Sequence, residues 1–280
     1  MPGDVADFDA GLFTPYRKVV PDVSFFPGSC RRSLLTACAT PQAPVNLGAG
    51  AFANPGSSYG VLMTALPPSD TFFPGADCLL CIAAASVANN KPTAHVKTLT
   101  PADLAKLSQE AATALRKKGA TVTVIDAFDI KTLPDAATSA PNFARKNFSS
   151  LKAKYHVDKL LVIAVNATGF ERRYATYIPS GDPKAKVGGV SYIVDLSTNA
   201  YEWYMPIDVQ KASDGAWDEP PTFPGLTNAY YQSLEMTRDQ VLRVDGGAAQ
   251  GGRQRWGVRR PCGRVNGVRD GFQVPGAQCS

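Results

Sequence analysis

From Ser58 onward the chain alternates short apolar runs with polar, turn-forming breaks. Residues 59–66 (Tyr-Gly-Val-Leu-Met-Thr-Ala-Leu) form an apolar run closed by Pro67-Pro68, which predicts a first strand. Pro74-Gly75 marks a turn. Residues 76–88 are apolar and small, with Cys78, Cys81 and Ala85 at helical spacing. They predict a buried helix, with a strand as the alternative. The next helix carries the strongest boundary signals. Thr100 is an N-cap, and Pro101 stands at the first helical position, where its missing N–H is not needed. Asp103 stands where a capping box has Glu or Gln. Leu104, Leu107, Ala111, Ala114 and Leu115 trace one apolar face. Arg116-Lys117-Lys118 suit the negative C-terminal end, and Gly119 supplies the residue after it.

Residues 121–125 (Thr-Val-Thr-Val-Ile) then read as a strand. A Pro-containing loop leads to a second helix over residues 142–155, with Phe143, Phe148 and Leu151 toward the core. The continuous apolar run 159–165 predicts a buried strand. Residues 170–178 alternate as an edge strand, and Ser180-Gly181-Asp182-Pro183 is a turn. Strands follow over 187–196 and 201–207, then an amphipathic helix over 226–243 with Ala229, Tyr230, Leu234, Val241 and Leu242 inward. Alternating units followed by a meander predict an α/β fold: a mixed β-sheet flanked by helices, as a single domain.

Charge separates this middle from both ends. The net charge is +5. Residues 1–57 balance four basic against four acidic side chains, residues 58–243 carry nineteen against eighteen, and residues 244–280 carry six Arg against two Asp. This divides the chain into a disordered leader (1–57), an α/β domain (58–243) and a disordered basic Gly/Arg-rich tail (244–280). The tail with Trp256 could be read as a nucleic-acid arm, but its composition fits a disordered extension better. The domain lacks the clustered Lys/Arg that phosphate binding needs, so nucleic acid is not an expected partner. No run approaches the ~20 apolar residues of a membrane helix.

The leader holds one motif. Arg31-Arg32 is followed by Ser33-Leu34-Leu35-Thr36-Ala37-Cys38, in which Leu-Thr-Ala-Cys looks like a bacterial lipobox with Cys38 as the lipid-attachment residue. The small, Pro-rich stretch after it suits a tether. Only five residues separate Arg32 from Cys38, short of the apolar segment of a signal peptide. Two alternatives therefore stand: a degraded lipoprotein signal, which would exclude residues 1–32 from the mature protein, or a fortuitous match.

A helix ending Leu115-Arg-Lys-Lys-Gly119, the sequence Tyr155-His156-Val157-Asp158 before a strand, and Ile193-Val-Asp-Leu-Ser-Thr-Asn199 leading to Trp203 resemble a group of bacterial envelope lipoproteins. The group includes the N-terminal domain of the curli-secretion lipoprotein and the lipoprotein activators of cell-wall synthases. Asn199 stands where that pattern has Gly. The resemblance covers residues 100–243. It implies a periplasmic, lipid-anchored scaffold or assembly factor that is not an enzyme. Its expected partners are envelope proteins or further copies of itself, with a lipid anchor to the membrane and no cofactor.

Among residues with chemistry, Cys78-Leu-Leu-Cys81 is the sharpest local signal. The pair can be a redox couple or local disulfide, half a zinc site, or two buried small hydrophobes. Zinc would need further ligands, and His95 and His156 are the only histidines, so no metal is expected. The other cysteines, Cys30, Cys38, Cys262 and Cys279, lie outside the domain. His-Glu-x-x-His does not occur. Glu171-Arg172-Arg173 could bind an anion but suits a solvated strand face. Trp217, Asp218 and Glu219 combine an aromatic ring with two carboxylates and could contact a partner protein or a sugar; the alternative is a surface loop with Trp217 packed on the sheet. Asp195, Glu202 and Asp218 are the carboxylates open to an enzymatic reading. Asn147 and Asn166 match glycosylation acceptors, which matter only in a eukaryotic secretory setting.

Overall fold

The computed structural model of the chain describes residues 41–48, 51–52, 56–126 and 128–243. The fold is α/β, a mixed sheet flanked by helices. In chain order it comprises β1 (Ser58–Met63), β2 (Asp70–Phe72), α1 (Leu79–Ala88), α2 (Asn90–Val96), α3 (Leu107–Lys117), β3 (Thr121–Ile125), α4 (Ser149–Tyr155), β4 (Lys159–Glu171), β5 (Tyr174–Ala175), β6 (Ile178–Pro179), β7 (Lys184–Asp195), β8 (Tyr201–Ala212) and α5 (Pro224–Leu242). The sheet runs β3-β1-β4-β7-β8. Strands β3, β1 and β4 are parallel, while β4, β7 and β8 form an antiparallel meander. The short β2 also pairs in parallel with β4, at Gly169–Glu171, beyond the segment that β1 covers.

Side-chain parity along β4 decides which helix covers what. Leu161, Ile163 and Val165 join one apolar cluster with Leu107, Ala111 and Leu115 of α3 and Leu226, Tyr230 and Leu234 of α5. Leu160 and Val162 point the other way, toward Phe148, Leu151 and Val157. Each such buried aliphatic side chain contributes roughly 2 kcal/mol. A bulge between Val165 and Ala167 then reverses the parity, so Thr168 and Phe170 take over the α5 side. Ser69 ties this side together, bonding Tyr230 Oη at 2.7 Å and Thr168 Oγ1 at 3.4 Å. At Gly169 (φ +138°) β4 comes so close to β2 that a Cβ would lie 1.9 Å from the Asp70 carbonyl oxygen.

Two predicted helices are shorter than their sequence signals. The helix expected from Thr100 begins at Leu107. Residues Ala102–Leu104 form a separate 3₁₀ turn closed by Leu104 N–H on the Pro101 carbonyl, and Lys106 is an N-cap with no side-chain bond. The helix expected over 142–155 is confined to α4. Asn142 is left-handed (φ 65°), and Phe143 and Lys146 bridge to Ala200 and Asp135 instead. Asn199 enforces this arrangement. Its amide donates to the Ala144 and Lys146 carbonyls at 3.0 Å each, and its Oδ1 accepts the Phe148 N–H at 3.0 Å. Asn199 itself is left-handed (φ 61°), a conformation that Gly adopts freely and Asn tolerates, and its side chain adds three bonds there.

On the α4 side, Tyr192, Tyr201 and Tyr204 gather with ring centroids 5.0–6.2 Å apart. Burial pushes the phenols up, Tyr201 to about 12. The described part of the leader docks at this edge, although the sequence predicts a free tether there. Val45 exchanges two 2.9 Å bonds with Tyr204, and Gln42 bonds Asn142 twice. Leu47 and Phe52 pack on the α3–α5 core, which gives these residues an apolar reason to leave water.

Candidate functional site

The turn at Pro74-Gly75 and the β5–β6 hairpin build a platform for α1. Tyr174 N–H donates to the Pro74 carbonyl, and Thr176 N–H donates to that of Gly75. Gly75 is left-handed (φ +88°), and a Cβ there would lie 1.9 Å from the Tyr174 carbonyl oxygen. The Tyr174 ring packs with Ala76, Cys81 and Ala85. Its hydroxyl accepts from Asn89 Nδ2 at 2.6 Å. Asn89 Oδ1 accepts from Arg172 at 3.1 Å, and Arg172 also donates to the Gly181 carbonyl and lies 4.8 Å over the Trp217 ring. Arg172 is therefore committed to holding the end of α1 against the hairpin. Glu171 receives Arg173 and Lys186, so neither of the anion-binding or solvated readings describes Arg172.

At the other end of α1, Cys78 and Cys81 form a disulfide. Cys78 is the N-cap; its Sγ accepts the Cys81 N–H at 2.9 Å. Cys78 is exposed and Cys81 buried. A helix N-terminus favours negative charge, so a thiolate at Cys78 would be stabilised there once the bond is reduced.

The helix itself departs from expectation. The sequence predicts a buried helix over 76–88, but only Cys81 and Ala85 of α1 are buried. Leu79, Leu80 and Val87 are 87%, 83% and 73% exposed, and Ile82 is also exposed. An all-apolar helix has no polar face to announce its solvent side, and the seam under it is only Tyr174 and Ala76 wide. Tyr177 and Ile178 at the hairpin tip are exposed as well.

No family model and no curated protein matches this sequence. Several solved structures are similar in outline. A chain of the PelC dodecamer of Paraburkholderia phytofirmans, in a form carrying a single substitution, is 13% identical, with a TM-score of 0.26, over 70% of this chain and 94% of that one. Lipoprotein GNA1162 of Neisseria meningitidis is 13% identical, with a TM-score of 0.26, over 64% and 99%. A putative neuraminyllactose-binding hemagglutinin homolog of Helicobacter pylori is 10% identical, with a TM-score of 0.31, over 70% and 88%. The scores are low, and these likenesses say nothing of what this chain does.

The remaining sequence candidates are dispersed. Cys38 lies outside the described residues, as do Trp256 and Cys30, Cys262 and Cys279. Trp217 is half-buried, packed against the core and stacked by Arg172, while Asp218 and Glu219 stay exposed beside it. Asp195 is occupied within its own turn, where Oδ1 accepts Ser197 N–H, Thr198 N–H and the Thr198 hydroxyl. Glu202 pairs with Lys159 at 2.8 Å, and its Oε2 has no hydrogen-bond partner among the described residues. Burial pulls the Lys159 ammonium down, but the Glu202 carboxylate together with Tyr59 and Asp195 outweighs it and the group is raised. His95 Nε2 bonds Thr227 at 2.7 Å, and His156 is the left-handed C-cap of α4. Among the described residues no three His, Cys, Asp or Glu side chains are grouped to hold a metal, and no helix is long and apolar enough to cross a membrane. Sequence reasoning missed the exposed Leu79, Leu80 and Val87 and the Asn89–Arg172 clasp. The available signal was the complete lack of charge in residues 79–88.

Proposed function

We propose that this protein is a lipid-anchored component of a bacterial cell envelope that works by binding other envelope proteins or further copies of itself. The observation carrying this reading is how near Cys38 the docked residues come. Among the described residues Gln42 and Val45 are the first to bond to the rest of the domain, and only Ala39, Thr40 and Pro41 stand between Gln42 and the lipobox-like Cys38. Acylation at Cys38 would hold the domain close to a bilayer without disturbing any described contact. The exposed apolar α1 supplies a surface for binding. The test is the intact mass and N-terminus of the protein from its native envelope. A diacylglycerol-modified chain beginning at Cys38 is expected. An unmodified chain beginning at Met1 overturns the anchored reading.

A second reading rests on Cys78, exposed at the N-terminus of α1 and bonded to the buried Cys81. In it, a substrate thiolate attacks Cys78 Sγ and expels Cys81 as a thiolate, which takes up a proton. A second substrate thiolate then displaces Cys78, leaving both cysteines reduced and the substrate as a disulfide. Catalytic amounts of the oxidised chain in a glutathione buffer should then speed oxidative refolding of a reduced protein. Equal rates with and without the chain would dismiss it.

A further inference from the structure

The apolar surface of α1 has an internal order. Its inward stripe is Cys81, Ala85 and then Asn89, all buried. Opposite lie Leu80, Ala83 and Val87, at the i, i+3, i+7 spacing of a helix that packs on another helix, with Leu79 and Ala84 on the flanks. Small Ala83 and Ala84 at the centre let a second backbone come close. The helix carries no charge, but its two ends are marked with opposite signs. Asp77 precedes it and Lys91 follows it; both are exposed, and neither has an ion-pair partner among the described residues.

We infer that α1 is the contact through which two copies of this chain pair, antiparallel across a two-fold axis near Ala84. In that register the residues whose numbers sum to 168 lie level with each other along the two helices. Leu80 of each copy lies level with Ala88 of the other, beside its Val87, and Asp77 of each lies level with Lys91 of the other, at both ends of the contact. A two-fold contact must be complementary to itself, and one carboxylate and one ammonium equidistant from the centre satisfy that. A bilayer would gain little from the small-residue centre and would have to accommodate Asp77 beside Leu79. The exposed face of α1 belongs to one ten-residue helix, short of the ~20–30 residues a side of a standard interface, so the pairing is weak.

This deepens the binding reading by naming one partner, and it rests on that reading, though not on acylation. The test uses the full chain with Cys38→Ala, oxidised and unlipidated, so it can fail while the envelope anchor stands, and the reverse. Sedimentation velocity over the micromolar range should show a reversible monomer–dimer equilibrium, with no covalent dimer on a non-reducing gel. Leu80→Asp, at an exposed site, should weaken it at least about tenfold with an unchanged circular dichroism spectrum. Asp77→Lys alone and Lys91→Asp alone should each weaken it, and the double swap should restore it. A chain that stays monomeric throughout, a dimer indifferent to Leu80→Asp, or a double swap no better than the singles overturns the inference. So does Leu80-dependent binding of a monomer to phosphatidylethanolamine–phosphatidylglycerol vesicles, which would assign α1 to a membrane.

Discussion

Reducing Cys78–Cys81 isolates the cross-link, because every side chain stays in place. Helix α1 has ten residues and holds the protein through Cys81, Ala85 and the Asn89 clasp. A helix this short is not stable alone, so its persistence depends on those contacts and on how much freedom it gains when it opens. The disulfide closes a loop of sequence separation 3, that is, of four residues. The chain-entropy relation for a four-residue loop gives about 6 cal/mol/K, or about 1.9 kcal/mol at 25 °C. If α1 opens as a local unit, the reduced protein should open it roughly 20-fold more often. Hydrogen exchange read by mass spectrometry on peptides covering residues 79–88 measures this, with and without reductant. Protection there should fall roughly 20-fold, while peptides from β4 stay unchanged. Unchanged protection in α1 would refute the staple. An equal loss in β4 would refute local opening and tie α1 to global unfolding.

Three further outcomes are expected. Tyr192, Tyr201 and Tyr204 are held neutral by burial, so the unfolded chain ionises first and stability falls as pH rises from 10 toward 12. Urea midpoints should record a loss of roughly 2–3 kcal/mol by pH 11, after discounting the part-exposed Tyr201 and Tyr204, and Tyr192→Phe should shrink it. Burial lowers the His95 pKa, so the unfolded chain takes up a proton first on acidification and stability falls as pH drops below about 6.5. His95→Gln should flatten the change between pH 7.5 and 5.5, and an unaltered slope would assign it to other groups. Gly169→Ala meets the Asp70 carbonyl and should cost about 3 kcal/mol or more, against about 1 kcal/mol for Gly119→Ala, whose φ is +89° with nothing within 4 Å. Equal costs in thermal denaturation would show that β2 yields freely.

The residues that fixed strand positions in the sequence are those with one-sided patterns. Thr121–Ile125 occupies the expected positions, and β1, β7 and β8 keep their expected cores. Strand β4 was legible only to Val165 because the bulge reverses its parity, so Phe170 and Glu171 look like the start of another strand. The N-cap signal at Thr100 was locally sound, yet Leu104 is buried in a 3₁₀ turn and the α-helix starts a turn later. Strand β2, of three residues, and α2, with Pro92 inside it, carry no period long enough to read. In the candidate site the Cys78–Cys81 spacing was visible. Which side of α1 faces water was not, because Leu80 and Cys81 differ in exposure but not in hydrophobic character. The clasp from Arg172 to Asn89 joins residues 83 apart and leaves no local trace.

Strand β4 also separates long-range from short-range pairings in the sheet. Tyr59 pairs with Lys159, and Asp70 with Gly169, so each N-terminal strand must close a loop of about a hundred residues to reach β4. β4, β7 and β8 are joined through much shorter connections, such as the turn between Asp195 and Tyr201. The meander should therefore assemble first, with β1 and β2 docking onto its open flank afterwards. Of the described strands, the first to be synthesised should then be among the last to find their partner. Until β4 exists, the apolar run of β1 and the uncharged α1 that follows stay accessible to any other chain in the same state.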